Sequence, residues 1–391
     1  MLAFYAWTDT SIINMLNTKV SYFCEEPADL FILKLARVSS DLVMLVMQSN
    51  VFSNVYIIEE PKLNLKGFKD VSFSRKLIEV FSGHRYKRMI YSCLKKTIDN
   101  RKYSILFTGA FWSLTLYFFW YFKKQNPTIK IRFVEEGLAS YNSPNNWKYR
   151  CIPEQGKREA LMRLFWYFPI WHFAKRAIDG EYLYAPDFKR TNKERQTFPL
   201  PYIGKDGTCR DVIIKLSKTI DMKEYALRRL FFLTDMVELE KFSCDFDKIV
   251  KTVTTIVPSD MLTLKKHPAL KEFFINVPQD VYIDRRNYFF EAGCAGLDIN
   301  NKIFLLRNSS LSLTVKTFLN KEPYIVFTYK LYPDNDVNNI KAMDEFTSDL
   351  RRCYQKPERI YAPETTEELG RILTALITDQ KSELYITGEK V

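Results

Sequence analysis

Residues 104–122, SILFTGAFWSLTLYFFWYF, carry no charge and are bracketed by Arg101, Lys102, Lys123 and Lys124. Two architectures compete for this stretch. Its length and apolarity suit a short membrane-spanning helix. Gly109, however, separates an Ile-Leu-Phe run from an aromatic segment, as a buried strand, a tight loop and a buried helix would require. The flanking sequence favours the second reading, because it repeats the same strand, loop and helix alternation.

Working outward, LAFYAW leads into TDTSIINMLN, ADLFIL into SSDLVMLVMQSN, and IKIRFV into EEGLASY. Apolar runs that alternate with helical patterns predict a parallel sheet covered on both faces. From about residue 145 to 228 the pattern breaks into basic, aromatic and Pro-containing sequence. It resumes with LFFLTD, MLTLKKHP, DVYIDR, NKIFLLRNSS, YIVFTYKLYP and RIYAP, each joined to the next through a helical or polar segment. The chain therefore reads as α/β with two Rossmann-like domains, residues 1–200 and 201–391. The last helix, TEELGRILTALITD, has the option of packing back on the first domain.

A chain of 391 residues accommodates two such cores at ~150 residues each. Hydrophobic residues at 47% and only 12 Gly exclude a disordered or linker-like protein. Lys and Arg exceed Asp and Glu by 58 to 46, so the surface as a whole attracts anions. Acidic residues are interleaved with basic ones almost throughout and no nucleic-acid module is present, so nucleic acid is not an expected partner. Seven Cys, odd in number and without a Cys-x-x-Cys pair, predict free thiols in a reducing compartment. The N-terminal stretch lacks a basic n-region and a small-residue cleavage site, which leads to the expectation of a cytoplasmic protein.

In open α/β sheets ligands bind beyond the carboxyl ends of the strands, so residues that follow strands are the candidates for chemistry. IRFVEEGLASY places Glu135 and Glu136 at a strand end before Gly137. Mutual repulsion and desolvation would lift one carboxylate towards the range of a general base; an exposed acidic turn is the plainer alternative. His267 follows the strand MLTLKK, and Pro268 stiffens the turn beyond it. A protonated imidazole there can stabilise or protonate a leaving phosphate, although two adjacent lysines disfavour its charge. In FLLRNSSLSLT, Ser309 and Ser310 fall at a strand-to-helix junction, where N-capping and anion binding are compatible. In RNYFFEAG, Glu291 is placed either to accept from ribose hydroxyls or to start a helix.

Glu-Glu-Gly, His-Pro, Glu and Ser-Ser, in that order, resemble the motifs of bacterial sialyltransferases of the GT-B architecture. The pattern is most similar to glycosyltransferase family 52, the lipooligosaccharide and capsule sialyltransferases, which also begin with a strand, a Thr-containing loop and a helix, as FYAWTDTSIINML does here. The resemblance implies inverting, metal-independent transfer of sialic acid from CMP-sialic acid to a terminal sugar of a cell-surface oligosaccharide. His267 would then meet the CMP phosphate beside Pro268, Ser309 and Ser310 would hold that phosphate, and Glu291 would contact the cytidine ribose. Glu135, with Glu136 in reserve, would take the acceptor proton. Family 52 enzymes are expected to draw the base from upstream of His-Pro in the second domain, which brings in Asp235 and Asp245. No cofactor or metal is implied, and DFD at 245–247 opens a predicted helix rather than ending a strand.

Residues 157–176, KREALMRLFWYFPIWHFAKR, mix cations with aromatics. They suit either a peripheral contact with the cytoplasmic face of a membrane, in keeping with a lipid-linked acceptor, or an interdomain or homodimer interface in which His172 is packed. A GT-B hexosyltransferase, for example a glucosyltransferase using another nucleotide sugar, is the alternative enzyme. A second donor phosphate would then call for additional cations. A non-enzymatic basic protein that binds membrane or nucleic acid is the remaining class.

Overall fold

The computed structural model describes residues 1–34, 38–59, 91–98, 101–109, 113–137, 139–142, 168–189, 195–203, 207–234, 243–267, 277–332 and 337–387. They form two compact units, Met1–Val212 and Ile213–Val391. The first contains strands β1 (Leu2–Ala6), β2 (Ala28–Lys34), β3 (Asn54–Glu59), β4 (Ile105–Thr108), β5 (Lys130–Val134), β6 (Ile178–Leu183) and β7 (Thr197–Pro199). These build one sheet in the order β3-β2-β1-β4-β5-β6-β7, and every pairing in it is parallel. The second unit contains β8 (Leu230–Leu233), β9 (Leu262–Lys265), β10 (Tyr282–Asp284), β11 (Ile303–Leu306), β12 (Tyr324–Phe327) and β13 (Ile360–Tyr361). Its order is β10-β9-β8-β11-β12-β13, again with parallel pairing throughout.

In each unit the chain therefore starts inside the sheet, adds strands to one side and then crosses to the other. The crossing points lie between β1 and β4 and between β8 and β11. At such a point successive crossover helices leave to opposite faces and open a crevice beyond the strand ends. Central strands covered on both faces must be apolar along their whole length. LAFYA, LFFL and IFLL are buried at every position.

The segment 104–122 resolves accordingly. Ile105–Thr108 is β4, and a helix runs over Ser113–Gln125. Leu116, Phe118, Phe119 and Phe122 of that helix join Phe31, Leu106 and Ile131 in the core. Each buried Phe contributes ~1.5–3 kcal/mol, which accounts for the apolarity of the stretch without lipid. Among the described residues no helix is long and apolar enough to cross a membrane.

The structure adds to the sequence reading at several points. The first compact unit ends at Val212, close to the boundary expected near 200. The Pro-containing segment thought to end the first domain is its seventh strand, where the Leu200 N–H bonds the Leu183 carbonyl at 2.8 Å and Asn17 Nδ2 bonds the Pro201 carbonyl at 3.0 Å. Proline is tolerated there because β7 is an edge strand. The last helix, Thr366–Thr387, packs in its own unit, where Leu369 and Leu373 are buried with Phe246, Val253 and Leu264. Finally, β6 went unread because Asp179, Gly180 and Glu181 look like a loop. Asp179 is bonded by Arg132 Nε at 3.0 Å, and Glu181 is paired with Lys189.

Candidate active site

The crossing point of the second sheet gathers three of the sequence candidates. β9, β8 and β11 are neighbours, with Leu233 in register with both Lys265 and Leu306. Adjacent strands lie ~4.8 Å apart, so the turns after β9 and β11 are separated by only one strand. His267, half-buried, follows β9, and its N–H bonds the Thr234 hydroxyl at 3.2 Å. That hydroxyl donates in turn to the Lys265 carbonyl at 3.0 Å. Thr234 thus ties the histidine turn to the central strand.

After β11 come Arg307, Asn308, Ser309 and Ser310, and then the helix Leu311–Leu319. Ser310 is the backbone cap residue, but its side chain makes no capping bond. Ser309 does this instead: its Oγ accepts from the Leu311 N–H at 3.2 Å. The helix N-terminus concentrates partial positive charge at this edge. Lys266 and Arg307, 8% and 6% exposed, add two cations, and the Arg307 guanidinium lies 5.1 Å from the Tyr332 ring centre. Glu291, in the first turn of the helix Phe290–Ala295, is joined to the same region by the Thr314 hydroxyl at 3.4 Å. Gly293 allows that helix to seat on Met222, since a Cβ at 293 would meet the sulfur at 2.8 Å.

Sequence reasoning missed the hub that supports this edge. Asp284 ends β10 fully buried and accepts from Tyr225 Oη at 3.0 Å, Tyr288 Oη at 2.7 Å, Arg286 Nε at 2.9 Å and the Arg286 N–H at 3.0 Å. Burial alone would raise its pKa, but the Arg286 bond, the Lys265 charge and the Tyr288 bond outweigh it and hold the carboxyl below its ordinary value. Lys265, buried on the neighbouring strand, bonds the Arg286 carbonyl at 2.5 Å, and its Nζ lies 4.6 Å from the Tyr288 ring centre. Burial pushes its ammonium down to about 8, although Asp284 opposes the shift. The Asp284 carbonyl accepts from the Lys266 N–H at 2.9 Å. One aspartate therefore braces the residues that lead into His267 and those that lead into Glu291.

In the first unit the paired glutamates have opposite surroundings. Glu135 is 1% exposed; its Oε2 accepts from the Tyr184 N–H at 2.8 Å and from the Tyr141 hydroxyl. Around it, Asn14 Nδ2 bonds the Glu135 carbonyl at 2.7 Å, and Tyr184 Oη bonds Asn14 Oδ1 at 3.0 Å. Its carboxyl is pushed up to about 7 by burial, with the Tyr141 and Tyr184 bonds acting against the rise. Desolvation, and not the charge of Glu136, therefore causes the shift. Glu136 is half-buried, and its N–H bonds Ser140 Oγ at 2.9 Å. Its side chain lies over the backbone at the end of β4, where a Cβ on Gly109 would meet Glu136 Oε2 at 3.3 Å. This is the crossing point of the first sheet. Asp9, 7% exposed, lies after β1 and accepts from the Ser39 N–H at 2.8 Å. Burial raises its carboxyl to about 6.

Asp235, Pro268 and residues 157–167 lie outside the described residues. Asp245 sits in the first turn of the helix Ser243–Ile256 and pairs with Lys248 at 3.0 Å. Among the described residues no group of three or more His, Cys, Asp and Glu is placed to hold a metal ion.

No protein-family description and no curated protein matches the chain. Solved structures do. A crystal structure described as the glycotransferase of kitacinnamycin superposes with a TM-score of 0.53 at 10% identity, over 96% of this chain and 90% of that one. A putative UDP-N-acetylglucosamine 2-epimerase from Listeria monocytogenes gives 0.52 at 11% identity, over 97% and 89%. At these identities the likeness is one of fold: two parallel-sheet, Rossmann-like domains of the GT-B type.

Proposed function

We propose that the protein is a GT-B glycosyltransferase that moves a sugar from a nucleotide-diphosphate donor, with the donor phosphates held at the crossing point of the second sheet. The observation that carries this reading is the placement of Lys266, His267, Arg307 and the N-terminus of the helix Leu311–Leu319 directly after β9 and β11, the two strands that flank β8. A monophosphate leaving group needs one imidazole, a helix end and two hydroxyls. Two further cations at the same edge suit a second phosphate, whose charge builds up as the glycosidic bond breaks. UDP-N-acetylglucosamine, named in the description of the Listeria monocytogenes neighbour, is of this chemical class.

In this reaction His267 stabilises or protonates the departing phosphate, the Ser310 hydroxyl and helix N–H groups bind it, and Glu291 meets the ribose. On the acceptor side Glu136 takes the hydroxyl proton, because Glu135 is sealed among tyrosines and asparagines and has no face left for substrate. Transfer is metal-independent, the cations supplying what a bound divalent ion would otherwise supply. The second reading keeps the same fold and site but takes CMP-sialic acid; it is supported by the order of the Glu-Glu-Gly, His-Pro, Glu and Ser-Ser motifs. A panel of UDP-hexoses, UDP-N-acetylhexosamines and CMP-sialic acid, incubated with the enzyme in EDTA, separates them by the nucleotide released. Turnover of CMP-sialic acid alone overturns the diphosphate reading in favour of the second, and release only after magnesium is added overturns the metal-independent mechanism.

A further inference from the structure

The edge of the first sheet opposite its strand ends carries a different chemistry. The helices Ser113–Gln125 and Phe168–Ala177 both run back against the strands, so their C-termini lie where β5 and β6 begin. They touch each other, with the ring centres of Trp120 and Phe173 5.8 Å apart. Lys123 and Lys124 end the first helix, and Lys175 and Arg176 end the second. Lys130 opens β5, and Lys102 precedes β4, the next strand in the sheet. Lys102, Lys124, Lys130, Lys175 and Arg176 are exposed. The acid that opens β6, Asp179, is already bonded to Arg132 at 3.0 Å. Amid these cations Phe173 remains 41% exposed, with Lys123 Nζ 5.6 Å from its ring centre.

We infer that this edge is a docking surface for an anionic lipid bilayer. A protruding aromatic ringed by flexible, snorkelling cations matches a headgroup layer, where the ring enters the acyl boundary and the amines remain among phosphates. Nucleic acid fits less well: Phe173 offers one exposed ring among the described side chains of these two helices, and successive bases need a row of them. Docking at this edge turns the carboxyl ends of the first sheet away from the lipid, so the lipid does not cover Glu136. The inference goes beyond the proposed reaction and stands without it.

The test is flotation of the full-length protein with vesicles of equal parts phosphatidylglycerol and phosphatidylcholine, and with vesicles of phosphatidylcholine alone. The first should bind and the second should not, and binding should fall as salt rises. Each neutralisation among Lys124→Gln, Lys175→Gln and Arg176→Gln should lower partitioning about fivefold, since a cation near such a surface is worth ~1 kcal/mol. Phe173→Ala should remove the component of binding that survives high salt. Unchanged thermal midpoints in the Lys and Arg variants keep a folding defect from being mistaken for lost affinity. Equal binding to both vesicle types, no loss on neutralisation, or retention by single-stranded DNA with no vesicle binding would each overturn the proposal.

Discussion

The two sheets share one topology, yet their crossing points are furnished differently. In the first unit the described strand-end groups bond within the protein: Glu135 to Tyr141 and Tyr184, Asn14 to Tyr184, and Asp9 to Ser39. In the second, the strand ends carry cations, a half-buried histidine and a serine hydroxyl that the helix cap does not use. Equal topology therefore does not give equal chemistry. What differs is the kind of group placed beyond the strands: buried carboxylates bonded to tyrosines and backbone in the first unit, cations and an imidazole in the second.

The comparison breaks most sharply at His267. His267→Ala should cut kcat by about 10²–10⁴-fold with an unchanged thermal midpoint, measured by donor turnover alongside calorimetry. Activity near wild type would move the site elsewhere. Asp284→Ala attacks the support instead. It leaves Lys265 buried without its carboxylate and should cost about 3–5 kcal/mol of stability, read from the denaturant midpoint; a loss below about 1 kcal/mol would show that Asp284 is no hub.

Within the first unit, Glu136→Gln should slow transfer about 10²-fold and leave stability almost untouched, whereas Glu135→Gln should act on stability more than on rate. The reverse pattern would restore Glu135 as the base. The serines divide in the same way: Ser309→Ala should cost about 1 kcal/mol through the lost cap, and Ser310→Ala should stay within about 0.5 kcal/mol while raising the donor KM. Equal destabilisation by the two would mean that both cap the helix.

The finest test uses pH. The Glu135 carboxyl lies at about 7 against an ordinary 4.5, so the folded state binds its proton more tightly than the unfolded chain does. Its contribution is fully present below pH 4.5 and is lost as pH rises through about 7, a swing of roughly 3 kcal/mol. Unfolding of Glu135→Gln between pH 4 and 8 should lack this decline; a parallel pair of curves would show that Glu135 ionises freely.

Strands such as LFFL and IFLL could be read because they are buried throughout and carry no polar residue. The strand IDGEYL could not be read, because its acids are made acceptable by Arg132 and Lys189, which lie elsewhere in the chain. The same limit applied at the site. The Ser-Ser junction and the histidine turn follow from local pattern, but sequence adjacency suggested that Glu135 and Glu136 share one environment. Their separation depends on Tyr184, 49 positions beyond Glu135, and the Asp284 hub depends on Tyr225, 59 positions before it.

Each of the two units is a single uninterrupted stretch of chain, and the first strand of each lies inside its own sheet. Synthesis from the amino end therefore completes the first sheet while much of the second is still to be translated. The early half can settle on the ribosome, and the parallel, distant pairings of the later half then form without competing strands from the earlier one.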